Sequence, residues 1–204
     1  MDLKQFIEKR PYLYHLTSNE NFKLIKKEGI IYSANKILQF ANLDPTMFKV
    51  KRKEHLFVDW NGKRIMIRDQ QPIVEKLLDK CLEDDWSCSD YYFYLNDRVF
   101  FWPTINRLER HFGRYESENP IIIRVSTEDV FQKNSNYKFA RINSGATRAN
   151  SYLGGIPPSR GKNTFQDINT YEGSIGNVAE VTFEGKCVLP KSFNYCRSPH
   201  GNWK

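Results

Sequence analysis

The segment YLYHLTSNENFKLIKKEGIIY, residues 12–32, sets the start of the fold. Residues 12–17 predict a short strand, and TSNE at 17–20 is a capping-box pattern that begins a helix. Apolar side chains within that helix recur on one inward face, and Gly29 predicts its end because glycine accepts the left-handed C-cap conformation. The apolar residues 30–32 then predict a second strand. Strand, helix and strand therefore follow one another within about twenty residues.

Further strands and helices alternate along the rest of the chain. Asn61-Gly62 predicts a two-residue hairpin turn between HLFVDW and KRIMIRD, because both central positions of that turn need positive φ. The other predicted elements are a helix over 72–83 with Pro72 at its start, a strand over 98–102, a helix capped by Thr104 and ended by Gly113, a strand over 121–125, a short helix capped by Thr127, and strands over 137–141 and 178–183.

Residues 143–177 are rich in glycine and small polar residues and include Pro157-Pro158. A segment this long without a periodic pattern is more typical of a functional loop or lid than of a connector. We find no repeat and no clean linker, so residues 1–204 are predicted to form one α+β domain with mixed sheets.

Composition limits the class of protein. The 40% hydrophobic fraction supports a folded core, and no apolar run reaches the ~20 residues of a membrane span. The first ten residues, MDLKQFIEKR, alternate in charge where a secretion signal needs an apolar run, so we expect a cytoplasmic protein that does not enter a membrane.

The net charge of +7 predicts attraction to polyanions such as nucleic acids or phosphate-bearing cofactors. Residues 130–166 contain six basic residues and no acid, which predicts a basic face; a solvated surface kept for solubility is the alternative. The four cysteines form no Cys-x-x-Cys pair and lie far in sequence from the histidines, which argues against a metal site and favours inert thiols.

Three places in the sequence contain residues suited to ligand binding or catalysis. His15, Thr17 and Asn21 lie where a strand ends and a helix begins, a place suited to a phosphate-bearing ligand; the alternative is a core histidine and a simple cap. Glu180 lies in an otherwise apolar strand and either points to solvent or lines a cleft, where it could stabilise positive charge. Arg68 follows the hairpin near a second basic cluster and could clamp a pyrophosphate, unless it is a salt-bridged surface arginine.

Together these motifs resemble the DarT-type ADP-ribosyltransferases, toxins that use NAD to modify nucleic-acid bases. The resemblance rests on His15-Leu16-Thr17-x-x-x-Asn21 followed by a helix and Gly29, on Val99-Phe100-Phe101-Trp102-Pro103, and on Ala179-Glu180-Val181. These motifs occur in the order of the family and span most of the chain. An arginine typically follows the proline directly in the family, whereas this chain has Thr-Ile-Asn-Arg there.

The resemblance implies an ADP-ribosyltransferase-like fold of mixed split β-sheets with flanking helices, and NAD as co-substrate. It implies that His15, Thr17 and Asn21 bind NAD and that Glu180 is catalytic. Arg68 is assigned as the essential arginine, with Arg52 as second choice, and no metal is required. The loop before Glu180 would meet the target.

A toxin or phage-defence role with an antitoxin partner is the implied biology. The basic window would bind nucleic acid by phosphate contacts from Arg141, Arg148, Arg160 and Lys162, and Tyr152 could stack on an exposed base. Two alternatives stay open, namely transfer to a protein side chain and a non-catalytic basic module that binds nucleic acid.

Overall fold

The computed structural model describes residues 1–83 and 85–204. The described helices are α1 (Leu3–Lys9), α2 (Asn19–Glu28), α3 (Ala34–Phe40), α4 (Glu75–Asp79), α5 (Cys88–Asn96), α6 (Ile105–Tyr115) and α7 (Thr127–Lys133). The described strands are β1 (Tyr12–Thr17), β2 (Ile30–Tyr32), β3 (Leu56–Trp60), β4 (Lys63–Ile67), β5 (Arg98–Phe101), β6 (Ile121–Ser126), β7 (Tyr137–Ala140), β8 (Glu180–Glu184), β9 (Lys186–Val188) and β10 (Asn194–Cys196). The fold class is therefore α+β.

The described strands form small antiparallel sheets. Two of them have three strands, in the orders β1-β6-β10 and β5-β8-β7, and β2-β9 and the hairpin β3-β4 are two-stranded. The two larger sheets meet at one point, where Tyr14 and Trp102 exchange both backbone hydrogen bonds at 2.9 and 2.8 Å. That junction lies one residue from His15 on β1, and the antiparallel pairing of Phe101 with Val181 places the end of β5 beside the start of β8.

The largest hydrophobic cluster joins residues from both ends of the chain. Phe6 of α1 packs edge-on against Phe139 of β7, and Leu189 belongs to the same cluster. A second cluster lies around α5, where Tyr91 and Tyr92 are almost completely buried. Packing on several sides thus fixes the strands that carry the candidate residues.

The predicted order of strand, helix and strand at the start of the fold is confirmed, but the helix cap is Ser18 and not Thr17, so Thr17 and Glu20 are not the two ends of a capping box. Ser18 caps α2 by accepting from the backbone N–H of Asn21, and Gly29 ends the helix with φ +68°. At the hairpin turn Asn61 and Gly62 both have positive φ, 50° and 68°, as the predicted turn requires.

The helix predicted over 72–83 is present but shorter, because α4 covers only residues 75–79 and begins after Pro72. The Val74 N–H donates to the Thr147 hydroxyl at 2.6 Å, and the Cys81 carbonyl accepts from the Arg160 N–H at 2.7 Å. The Glu83 N–H, which a helix over 72–83 would pair within itself, donates instead to the Arg160 carbonyl at 2.8 Å, so the long loop ends the helix early. Pro72 stands before the helix and accepts from Thr147.

Two helix boundaries differ from their predictions. Gly113 lies inside α6, which continues to Tyr115 because that side chain is buried with Leu108 and Phe112. Ser126, not Thr127, caps α7, and the Thr127 hydroxyl donates instead to the Arg10 carbonyl. The sequence pattern also missed α1, α3 and α5.

Candidate functional site

A cavity of about 610 Å³ opens at the junction of the two larger sheets. Its walls come from the end of β1, the start of α2, the hairpin, α6, the loop after β7 and the start of β8. Part of its lining is apolar and includes Ile31, Ile37 and Ile65. Its volume is in the range of pockets that bind cofactors.

His15 and Glu180 both line this cavity, although 165 positions separate them in sequence. The His15 Nδ1 lies 2.8 Å from the Phe100 carbonyl oxygen on β5. Burial lowers the pKa of His15 to about 4, and the nearby charge of Arg68 acts in the same direction. A neutral ring next to a carbonyl must donate from Nδ1, so Nε2 carries a lone pair and is a hydrogen-bond acceptor.

Glu180 begins β8, the central strand of its sheet, and its side chain is buried rather than turned to solvent. Its Oε2 accepts from the Ser144 hydroxyl at 2.6 Å and from the Ser144 N–H at 3.1 Å. Burial raises the pKa of the Glu180 carboxyl to about 7, while the Ser144 hydrogen bonds and the charges of Arg160 and Arg107 oppose that rise. The carboxyl is therefore poised to exchange a proton near neutral pH.

Arg160 holds the loop that carries Ser144. Its guanidinium donates to the carbonyls of Pro158 at 2.5 Å and Ala146 at 2.6 Å, and it lies 3.5 Å from the Cys81 sulfur. Only 2% of Arg160 is exposed, so the prediction that it binds phosphates at the surface is wrong. The loop needs an internal donor for its buried carbonyls, and Arg160 supplies it.

Thr17 and Asn21 line the cavity beside His15, as the sequence pattern predicts. The side chain of Asn21, however, donates to the Met66 carbonyl at 2.7 Å and accepts from the Met66 N–H at 2.9 Å. These two hydrogen bonds to the backbone of one residue join α2 to β4. Its first role in the structure is to position the hairpin wall of the cavity.

Arg68 and Arg52 lie together on the hairpin wall. Arg68 forms an ion pair with Glu118 at 2.7 Å, and its guanidinium stacks on the Tyr115 ring at 4.2 Å. Arg52 donates to the Arg68 carbonyl at 2.9 Å and to Asn96 Oδ1 at 2.8 Å. Burial lowers the pKa of Arg52 to about 10, so Arg52 remains charged near neutral pH.

The sequence pattern missed the polar face of α6. Arg107, Arg110, His111 and Arg114 recur at helical spacing and all line the cavity, on the face of the helix next to the one buried in the core. The His111 ring lies 4.5 Å from that of Trp102, and burial together with the charge of Arg68 lowers its pKa to about 3. The alternation of basic and apolar residues in TINRLERHFGR was the available signal.

The cavity is strongly cationic. Among the described residues the lining acids are Asp69 and Glu180, against eight lining arginines: Arg52, Arg68, Arg98, Arg107, Arg110, Arg114, Arg148 and Arg160. A recess of this charge is suited to a phosphate-bearing ligand.

A family model described as "Family of unknown function (DUF7002)" matches residues 11–191. The chain belongs to this family. The match includes His15, the hairpin, α6 and Glu180, so the whole candidate site lies within the DUF7002 region. No curated protein matches the chain. Among the described residues no helix is long and apolar enough to span a membrane.

The four basic residues predicted to bind nucleic acid do not form one surface. Arg148 is exposed and lines the cavity, whereas Arg141 and Lys162 are exposed outside its lining and Arg160 is buried. Tyr152, in the same loop, is 96% exposed on a turn followed by Gly154 and Gly155, both with positive φ. Of the predicted basic window, Arg148 and Arg160 line the cavity, and Arg148 is the exposed one of the two.

Proposed function

We propose that this DUF7002 protein is an NAD-dependent ADP-ribosyltransferase that modifies nucleic acid. The observation that carries the proposal is that His15 and Glu180, from opposite ends of the chain, line one cationic cavity. The meeting of two three-stranded antiparallel sheets at Tyr14 and Trp102 supports the finer assignment to an ADP-ribosyltransferase-like fold.

The residues of the cavity fit the chemistry of NAD. The Nε2 lone pair of His15 can accept from a ribose hydroxyl, and Thr17 lies beside it. Arg68, and Arg52 behind it, can hold the pyrophosphate, because guanidinium groups bind phosphate oxygens in bidentate fashion. The apolar part of the lining can contact a planar ring. Asn21 would contribute by fixing the wall.

In the proposed reaction the bond between the nicotinamide nitrogen and ribose C1′ breaks, and nicotinamide leaves with the bonding electrons. A nucleophilic atom of the acceptor forms a bond to C1′ and releases its proton. Ionised Glu180 stabilises the positive charge that develops at the ribose and accepts this proton or orients the nucleophile. Ser144 holds Oε2, so Oε1 is the oxygen available to substrate.

The charge of the site favours a nucleic-acid acceptor over a protein side chain. Arg148 is exposed at the cavity, and the exposed Tyr152 four residues later can stack on a base. A toxin or phage-defence role, neutralised by an antitoxin, follows from the same proposal.

Transfer of label from NAD tests the proposal. The protein is incubated with NAD labelled in the adenylate part, together with separate nucleic-acid and protein pools. We expect label on the nucleic acid, and no transfer by Glu180→Gln, which keeps the size of the side chain but cannot ionise. The control Glu172→Gln changes an exposed carboxylate of the same loop outside the cavity lining and should keep the activity.

Other outcomes are equally informative. Label on protein would assign the acceptor to the alternative class. Undiminished transfer by Glu180→Gln would remove this carboxylate from the mechanism, and the absence of any NAD turnover would favour a non-catalytic nucleic-acid-binding module.

A further inference from the structure

The polar face of α6 carries a row of three arginines, and two of them form no ion pair with an acid among the described residues. Within residues 1–83 and 85–204, the guanidinium groups of Arg107, Arg110 and Arg148 have no ion pair or hydrogen-bond partner, and all three line the cavity. Arg68, Arg98 and Arg114 are instead paired with Glu118, Glu184 and Asp69. The unpaired arginines therefore provide positive charge that is available to a ligand.

This charge exceeds what one dinucleotide needs. Arg52 and the three unpaired arginines together carry four positive charges in the cavity lining, against the two negative charges of a pyrophosphate. Like charges held together without a counter-charge repel each other, so a cluster that a fold leaves unpaired is stabilised when an anionic partner binds. The row on α6 thus points to a second anion in addition to NAD.

The shape of the row favours a chain of phosphates over a compact anion. Arg107 and Arg110 are three residues apart, and Arg114 is four further on, so cations recur about every 4.5–6 Å along the helix axis. A nucleic-acid strand carries one phosphate per about 3.4 Å of duplex axis. The spacing between its phosphates is longer when the strand is extended. Arg107 lines the same cavity as Glu180, and its charge lowers the pKa of that carboxyl, so the Arg107 end of the row faces the cavity that holds Glu180.

We propose that Arg107 and Arg110 of α6, with Arg148 of the loop, bind the phosphodiester backbone of the nucleic-acid acceptor. This inference rests on the proposed function, which supplies the acceptor, and it replaces the surface predicted from residues 130–166. The backbone runs along α6, and a base of the strand reaches into the cavity towards Glu180.

Fluorescence anisotropy of labelled oligonucleotides tests this site in the absence of NAD, with single-stranded DNA, single-stranded RNA and duplex DNA as separate probes. The variants are Arg107→Gln with Arg110→Gln and, separately, Arg148→Gln. We expect the double variant to lose about tenfold or more in affinity, and its plot of log affinity against log salt to flatten by about 1.4, since each phosphate contact to a single strand contributes about 0.7.

Matched controls remove the same charge elsewhere. Lys4→Gln with Lys9→Gln changes two exposed residues of α1, and Arg141→Gln changes an exposed arginine of the loop outside the cavity lining. These controls should alter affinity less than about twofold and leave the salt slope nearly unchanged. Melting temperatures of all variants verify that each is folded.

If the α6 variants and the controls lose affinity equally, binding is a general charge effect and the proposal is wrong. If no probe binds the wild type, it is also wrong. Stabilisation of the wild type by NAD is measured separately, so a failure of the proposed function shows in that experiment and a failure of the α6 site shows in the salt slopes.

Discussion

The Glu180 carboxyl destabilises the folded chain at neutral pH and above. Its pKa is about 7 in the folded protein, against an ordinary value of 4.5, because burial disfavours the charged form. Between these two values the folded state binds more protons than the unfolded state, so this group makes stability fall as pH rises. An acid that costs stability and faces a cavity is typical of a functional residue.

Glu180→Gln should therefore raise stability at alkaline pH. The shift from 4.5 to about 7 corresponds to roughly 3 kcal/mol once pH exceeds both values, and to much less near pH 5. The neutral amide can still accept from Ser144. Thermal or urea unfolding of both proteins at about pH 5 and about pH 8 measures the difference.

The control for this prediction is how the stability difference between Glu180→Gln and the wild type changes with pH. The gain in the melting temperature of Glu180→Gln over the wild type should be larger at the higher pH. An equal gain at both pH values would mean that ionisation of Glu180 is not the cause, and a loss at both would contradict the assigned burial cost.

At the scale of elements, α6 and the loop before β8 shape the site in different ways. Leu108, Phe112 and Tyr115 fix one face of α6 in the core, so its arginines are presented from a rigid support. The loop has no strand within residues 143–177, and its shape depends on side-chain anchors. The buried Arg160 is the anchor with the most backbone contacts.

Arg160→Met should destabilise the protein and displace Ser144. Methionine keeps much of the side-chain length but leaves the carbonyls of Ala146 and Pro158 without their donor, at a cost of roughly 3 kcal/mol. For a chain of this size that is a fall in melting temperature of roughly 6–12 °C. Differential scanning calorimetry measures it, and Arg141→Met, at an exposed position, serves as the control.

The pH profile of transfer activity reports whether Arg160→Met weakens the contacts between Ser144 and Glu180. The pH at which transfer activity is half-maximal should rise in Arg160→Met, because the Ser144 hydrogen bonds that favour ionised Glu180 are weakened. Normal stability together with an unchanged pH profile would show that Arg160 anchors neither the loop nor the carboxyl.

At the scale of the whole molecule, the cavity is the place where distant parts of the chain meet. Four segments each supply one wall: residues 15–21, the hairpin with Arg52 and Arg68, α6, and the segment from Asn143 to Glu180. A ligand that contacts several walls at once binds only the folded state. Its binding free energy is therefore added to the stability of the entire fold.

NAD should raise the melting temperature of the wild-type protein. At a concentration about 100 times its dissociation constant the gain is about 2.7 kcal/mol, or roughly 5–10 °C. His15→Ala should abolish the rise, since it removes the Nε2 acceptor. Differential scanning fluorimetry over a range of NAD concentrations measures both, with adenine alone as the ligand control.

A rise that persists undiminished in His15→Ala would show that NAD binds elsewhere. The absence of any rise in the melting temperature of the wild type at saturating NAD would contradict the proposed function. The α6 site is tested separately, by the binding of oligonucleotides.

Local sequence determined the elements whose signals are short-range. The order of β1, α2 and β2, the left-handed Gly29 and the Asn61-Gly62 turn follow from capping, backbone sterics and apolar spacing within a few residues. The α+β class followed from the same signals. Where tertiary contacts compete with local preference, the pattern failed: the loop shortened α4, and burial of Tyr115 carried α6 past Gly113.

Only the tertiary structure decided what the charged residues do. The sequence could not distinguish the buried Arg160, which binds loop carbonyls, from the exposed Arg148 at the cavity, because both lie in the same basic window. Nor could it place His15 and Glu180 in one cavity from spacing alone. Burial and partners arise from contacts between residues far apart in sequence, and those contacts set the charge state and the role of each side chain.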